Sequence, residues 1–145
     1  MGDQILMSYG DTFTDIRLCE LYAAHQKSGN EVTIVVAPIQ NPFGLVEFNQ
    51  ENKVTFFEEK PILKYYIGYS VINKSALDLA PKEVLDMPNG KGLVNFFKIL
   101  MKKELLGCYF HSGLQTTFNT EDELKMAKEK MVRFYTLSEN NSHEK

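Results

Sequence analysis

The chain has 145 residues, 43% hydrophobic and 24% charged, with a formal net charge of −3. That is the length of one domain with a real core, and the acidic balance argues against nucleic acid as partner, whose binders carry a basic stripe. No apolar run approaches the roughly 20 residues of a membrane span, and the start lacks the basic segment of a secretory signal, so a cytoplasmic protein with no membrane partner is expected. Cys19 and Cys108 both sit among apolar residues, which predicts buried thiols in a reducing compartment.

In chain order, "QILMSY" reads as a buried strand ended by Gly10-Asp11. A helix over residues 15–28 follows, with Thr14 or Asp15 as its cap and Ser28-Gly29-Asn30 as its stop. "EVTIVVA" is a β-branched, nearly continuous apolar strand, expected in the middle of a sheet. Strand, helix, strand makes a βαβ unit, with residues 4–9 and 31–37 as parallel neighbours. "GLVEFN" and "KVTFFEEK" flank "QEN" as a hairpin, and Pro61 ends it. "YYIGYSVIN" is a return strand whose Gly68 marks a close approach by a ligand or another backbone. Ser75 caps a short helix that Pro81 interrupts. "LVNFFKILMKKE" is an amphipathic helix and "LLGCYF" a further strand. After an irregular stretch, Thr120 to Glu123 forms a capping box opening the last helix, "EDELKMAKEKMVRFY". Residues 1–137 are expected to form one α/β domain with a mixed sheet, and 138–145 a polar, disordered tail.

These segments, in this order, resemble the sugar-1-phosphate nucleotidyltransferases. "YGDTFTDIRL" is similar to the family's Gly-Asp and "TDIDL" helix. "NPFGLVEFNQENKVTFFEEKP" resembles its Phe-Gly hairpin closing on Glu-Lys-Pro. "YYIGYSVINKSALDL" is similar to the following strand, and "FHSGLQTTFNTEDEL" to the closing motif. The "GDTFTDI" and "FNT" wording sits nearest the glucose-1-phosphate cytidylyltransferase-like branch. The family's G-x-G-T-R-L loop, which cradles the triphosphate, has no counterpart in these residues. The resemblance therefore implies a partial Rossmann-like nucleotide-diphospho-sugar transferase fold, the acceptor half of the enzyme.

The activity implied is transfer of a nucleotidyl group from a nucleoside triphosphate to a sugar 1-phosphate, with release of pyrophosphate and with Mg²⁺ as cofactor. A chain without the loop is expected to be inactive alone. It would act as a homo-oligomer, or with a partner chain supplying the missing N-terminal segment. The alternative is a non-catalytic relative serving as a binding or assembly subunit.

Asp11, at the end of a strand, faces the crevice where open α/β sheets bind ligands. It reads either as a turn residue capping the next helix or, as the resemblance implies, as a Mg²⁺ ligand. The closing motif's metal aspartate aligns with Asn119, with Thr117 the neighbouring alternative. Lys60 would neutralise the sugar phosphate and Glu59 accept sugar hydroxyls; a solvated charge pair ending a hairpin is the other reading. Gly10, Gly44 and Gly68 complete the implied substrate-binding set, with a bulge or a turn the equal alternative for Gly44 and Gly68. His111 is not needed as a base, since the attacking phosphate is already ionised. His25 and His143 suggest no zinc site.

Overall fold

The computed structural model describes residues 3–129. A four-stranded sheet carries the fold, built from β1 (Gln4–Ser8), β3 (Val32–Gln40), β6 (Ile62–Asn73) and β7 (Leu106–Phe110) in the order β1-β6-β3-β7. β6 runs antiparallel to both β1 and β3, and β3 runs parallel to β7. The sheet is mixed, as expected. One correction follows. β1 and β3 point the same way but are not neighbours, because β6 lies between them. Twelve residues long, β6 has room to satisfy two strands at once, pairing Val71 with Leu6 on one side and Thr33 on the other.

Each face of the sheet carries a helix. Side-chain alternation sends Val32, Ile34 and Ile72 to one face, against Phe96 and Leu100 of α3 (Lys91–Lys102). Val35, Ala37, Ile67 and Val71 go to the other, against Leu21 of α1 (Leu18–Ser28). β3 is covered on both faces, which is why its sequence is apolar almost without break. Phe96 and Leu21 are fully buried, and truncating a buried residue of this kind costs about 2–5 kcal/mol.

Three local expectations change. First, α1 starts at Leu18, with Arg17 as a cap that makes no side-chain hydrogen bond. Thr14 and Asp15 are engaged elsewhere: the Ile16 amide donates to Thr14 Oγ1, and the Asp15 amide donates to the Leu114 carbonyl. The helix ends as expected at Gly29, in the left-handed region at φ 72°. Second, β1 is an edge strand rather than a buried one. It has one partner among the described residues, leaving Ile5 36% and Leu6 49% exposed. Third, both cysteines are exposed. Cys19 turns away from the Leu21–His25 face of α1, and Cys108 lies on β7, the other edge.

The hairpin forms as predicted from β4 (Leu45–Phe48) and β5 (Val54–Glu58). It stands apart as a two-stranded ribbon. Residues 74–79 form a 3₁₀ turn, and Ser75 donates to Glu31 Oε2 instead of capping a helix. α2 (Lys82–Leu85) precedes α3. The stretch read as irregular contains β8 (Gln115–Thr117), which pairs antiparallel with β2 (Thr12–Thr14). The capping box forms in full at α4, residues 121–129. Thr120 Oγ1 accepts from the Glu123 amide at 3.2 Å, and Glu123 Oε2 accepts from the Asn119 and Thr120 amides. The predicted end of that helix, the 138–145 tail and His143 lie outside the described residues. Among the described residues no helix is long and apolar enough to cross a membrane.

Candidate functional site

β1 delivers Tyr9, Gly10 and Asp11 beyond the sheet, and the chain turns straight into β2. Pairing of β2 with β8 then closes a separation of more than a hundred residues. Thr12 faces Thr117, and the Phe118 amide donates to the Asp11 carbonyl at 3.0 Å. Side chains lock the same junction. Thr12 Oγ1 lies 3.2 Å from Thr117 Oγ1 and donates to Asp11 Oδ1 at 3.4 Å, while Tyr69 Oη donates to the Thr12 carbonyl.

A groove of about 350 Å³ opens at this junction, where Asp11, Thr12 and Thr117 meet Tyr9, Tyr66 and Gly68. Asp11 is its single carboxylate. Of the two positions aligned with the family's second metal ligand, Thr117 lines the groove and Asn119 does not. The Asn119 backbone amide is instead tied to Glu123 Oε2 at 2.7 Å. Those amide bonds, the one from Asn119 foremost, hold the Glu123 carboxyl below its ordinary value.

Gly68 takes φ +83°, and Tyr9 fills the space beside it. A Cβ there would fall 2.6 Å from Tyr9 Cγ. The close approach that a strand glycine signals is thus made by a ring of this same chain. Tyr9 packs edge-on to Tyr66 at 5.7 Å, and Tyr66 edge-on to Phe97 of α3 at 5.6 Å. Burial, the largest cause, pushes the Tyr66 phenol up to about 12. The neighbouring Ser70 hydroxyl pulls the other way, and burial outweighs it.

Gly44, Glu59 and Lys60 form a second group at the root of the hairpin. A Cβ on Gly44 would lie 3.3 Å from both Glu59 Oε2 and the Phe57 ring, so the glycine makes room for these side chains. Glu59 and Lys60 lie past the end of β5 and are exposed, with Lys60 in the left-handed region at φ 48°. The root is pinned where the Asn41 amide donates to the Pro61 carbonyl, two residues beyond Ile39 of the Asp11 groove. Asp11, Gly68 and Thr117 are therefore brought together, while Gly44, Glu59 and Lys60 stand outside that groove's lining. Gly10 is exposed beside it, with open space where a side chain would be.

Two histidines are structural. His111 is buried, with Nε2 2.9 Å from Asp15 Oδ1 and 3.0 Å from Thr14 Oγ1, and it latches the loop before β8 onto β2. His25, 1% exposed, bridges Thr33 Oγ1 at 2.8 Å and Asn73 Oδ1 at 3.0 Å. Tyr9 of the groove was not singled out from the sequence. The available signal was position: Tyr9 directly precedes Gly-Asp just past the end of β1.

Among the described residues no group of three His, Cys, Asp or Glu side chains converges on a metal position. A lone carboxylate flanked by hydroxyls fits a Mg²⁺ that arrives with phosphate oxygens, because Mg²⁺ needs only one or two carboxylates and keeps water and phosphate as its other ligands.

A family profile described as nucleotidyl transferase matches residues 2–88. No curated protein sequence matches the chain. Among solved structures, one described as a glucose-1-phosphate thymidylyltransferase from Bacillus anthracis in complex with a sucrose aligns with TM-score 0.59 at 16% identity. The alignment covers 86% of this chain and 53% of that one. HddC from Yersinia pseudotuberculosis aligns with TM-score 0.57 at 12% identity, over 90% of this chain and 56% of that one. The chain thus spans a little over half the length of these structures, and at such identities the likeness is one of fold.

Proposed function

Because this chain belongs to the nucleotidyl transferase family, we propose that the Asp11 groove is the acceptor side of a nucleotidyl transfer site. Its substrates would be a sugar 1-phosphate and a nucleoside triphosphate. The observation that carries this reading is the β2–β8 junction, which sets Asp11 beside Thr117 at the mouth of an aromatic groove. The Thr12 hydroxyl, itself 3.2 Å from Thr117 Oγ1, orients the carboxylate, and Tyr9 and Tyr66 offer the apolar faces on which a sugar ring packs. When bound through Asp11, Mg²⁺ would offset the negative charge gathering between attacking and leaving phosphate oxygens. Lys60, as the basic residue, would neutralise the sugar phosphate, and Glu59 would accept from sugar hydroxyls.

In this reading the triphosphate site comes from protein outside these residues, as a further segment or a partner chain. The 145-residue chain then binds sugar phosphate without releasing pyrophosphate. The partner's place is the open edge of β1, whose exposed Leu6 continues into Leu18 and Tyr22 of α1. The cytidylyltransferase-like branch rests on sequence wording alone, so a panel of nucleoside triphosphates is the appropriate probe.

The test is Mg²⁺-dependent binding of glucose 1-phosphate by calorimetry, with wild type and Asp11→Asn. Binding that needs Mg²⁺ and is weakened about tenfold or more by Asp11→Asn supports the reading. Absence of any binding component that needs both Mg²⁺ and Asp11 would overturn it. One observation favours a second reading, a non-catalytic binding subunit: neither Asn119 nor Thr117, the two positions aligned with the family's acidic metal ligand, carries a carboxylate. Pyrophosphate release at background, even with the complementary segment added, would favour that reading.

A further inference from the structure

Tyr9 also lines a second cavity, of about 440 Å³, together with α3 and the turn before it. Its lining includes Lys91, Lys98, Asn89, Asn95, Val94 and Tyr9. Lys91 and Lys98 are seven residues apart, two helical turns, so both rise from one face of α3. No acidic side chain lines the cavity, and neither lysine joins an ion pair among the described residues. In a chain of net charge −3, this is a concentrated positive site. Its walls are set by packing, since Tyr9, Tyr66 and Phe97 stack edge-on in series and fix α3 against the end of β1.

We infer that this cavity is a second ligand site, taking the phosphate group of a small phosphorylated molecule. Two ammonium groups acting as point charges suit a dianionic, tetrahedral phosphate, whereas planar carboxylates are better held by the fork of an arginine, which this lining lacks. The Asn89 and Asn95 side-chain amides supply neutral donors. The Asn95 amide now rests on Met87 Sδ, a weak acceptor that a phosphate oxygen readily displaces. Val94 and the Tyr9 ring give an organic body an apolar wall, and the volume suits a metabolite. Tyr9 belongs to both cavities, so a ligand here shifts the ring that shapes the Asp11 groove. The inference goes beyond the reading of that groove and stands without it.

The experiment is a ¹H–¹⁵N titration of the 145-residue chain with inorganic phosphate, glucose 1-phosphate and glucose, first without Mg²⁺. Both phosphates should perturb the Tyr9, Lys91, Val94 and Asn95 amides, and glucose should not. Lys98→Gln should weaken binding about tenfold, with Lys91→Gln similar, and Lys98→Glu should abolish it. These exposed substitutions leave the core untouched, and their spectra report the fold directly. The readout is taken without Mg²⁺ and localised to α3, so failure of the Asp11 reading leaves this result standing. Absence of phosphate binding in wild type, perturbations centred elsewhere, or equal affinity in the lysine variants would each overturn the inference.

Discussion

The Tyr9 ring lies where a side chain on Gly68 would have to be, with Tyr9 Cγ 2.6 Å from the position of a Cβ. Strand β1 and strand β6 meet here, and the Tyr9 amide also donates to the Gly68 carbonyl at 2.9 Å. Two penalties therefore fall on Gly68→Ala, a left-handed backbone at φ +83° and a steric clash. Together they should cost about 2–5 kcal/mol in denaturant unfolding. In a Tyr9→Ala background the clash is gone, and the cost of Gly68→Ala should fall to about 1–2 kcal/mol. Equal costs in the two backgrounds would show that the ring does not occupy that space.

Asn73 of β6 ties together β1, α1 and the turn before β3. Its Oδ1 accepts from Gln4 Nε2 at 2.8 Å and lies 3.0 Å from His25 Nε2, while its Nδ2 donates to the Asn30 carbonyl at 3.3 Å. That orientation assigns the His25 proton to Nε2 and leaves Nδ1 to accept from Thr33. Asn73→Leu strands a buried imidazole N–H and an amide, and should cost about 2–4 kcal/mol. A near-neutral effect on the unfolding midpoint would refute the network.

Glu123 gives a pH dependence of known sign. Hydrogen bonds from the Asn119 and Thr120 amides favour the ionised carboxylate and hold it below 4.5. A carboxylate lowered by folding stabilises the helix start fully above that ordinary value, and the contribution is lost as pH falls through the lowered one. Amide exchange at Asn119 and Thr120 should accelerate over that acid range. Glu123→Ala should show the fast exchange already at neutral pH, with no further acid step.

Tyr66 should ionise late. Its phenol is raised from 10.0 to about 12, chiefly by burial. The unfolded chain releases this proton first, so stability is intact below 10 and declines as pH rises toward 12. Ultraviolet titration should show a late tyrosinate step that disappears in Tyr66→Phe. A titration superimposable on wild type would place that phenol in solvent.

An open strand edge beside exposed apolar side chains invites association. Leu6, Leu18 and Tyr22, each 45–49% exposed, adjoin the unpaired side of β1. The β4–β5 ribbon adds Phe48 and Phe57, 66% and 63% exposed. Sedimentation should show self-association of the purified chain, reduced by Leu6→Lys. A monomer at high concentration in both proteins would count against a role for this edge.

Local chemistry decided much of this protein in advance. β3 reads as central because two covered faces demand apolar residues without alternation, and it is covered on both faces. The hairpin around "QEN" and the Thr120–Glu123 box are short-range patterns, complete within a few residues, and both formed where they were read. The order of family motifs was likewise visible, because order along a chain needs no folding. What folding alone settled were the long-range partnerships. "QILMSY" looked buried because its composition is apolar, but burial depends on a neighbour, and β6 is its only one among the described residues. β6 entering between β1 and β3 is a choice among pairings that each strand's own sequence allows equally. The three-residue strands of the β2–β8 ribbon carry too little pattern to be seen, yet their pairing puts Thr117 in the groove and leaves Asn119 outside it. Gly68 advertised a close approach, and only the packed structure could show that Tyr9 makes it, because the glycine's freedom is local and the ring that exploits it comes from another strand.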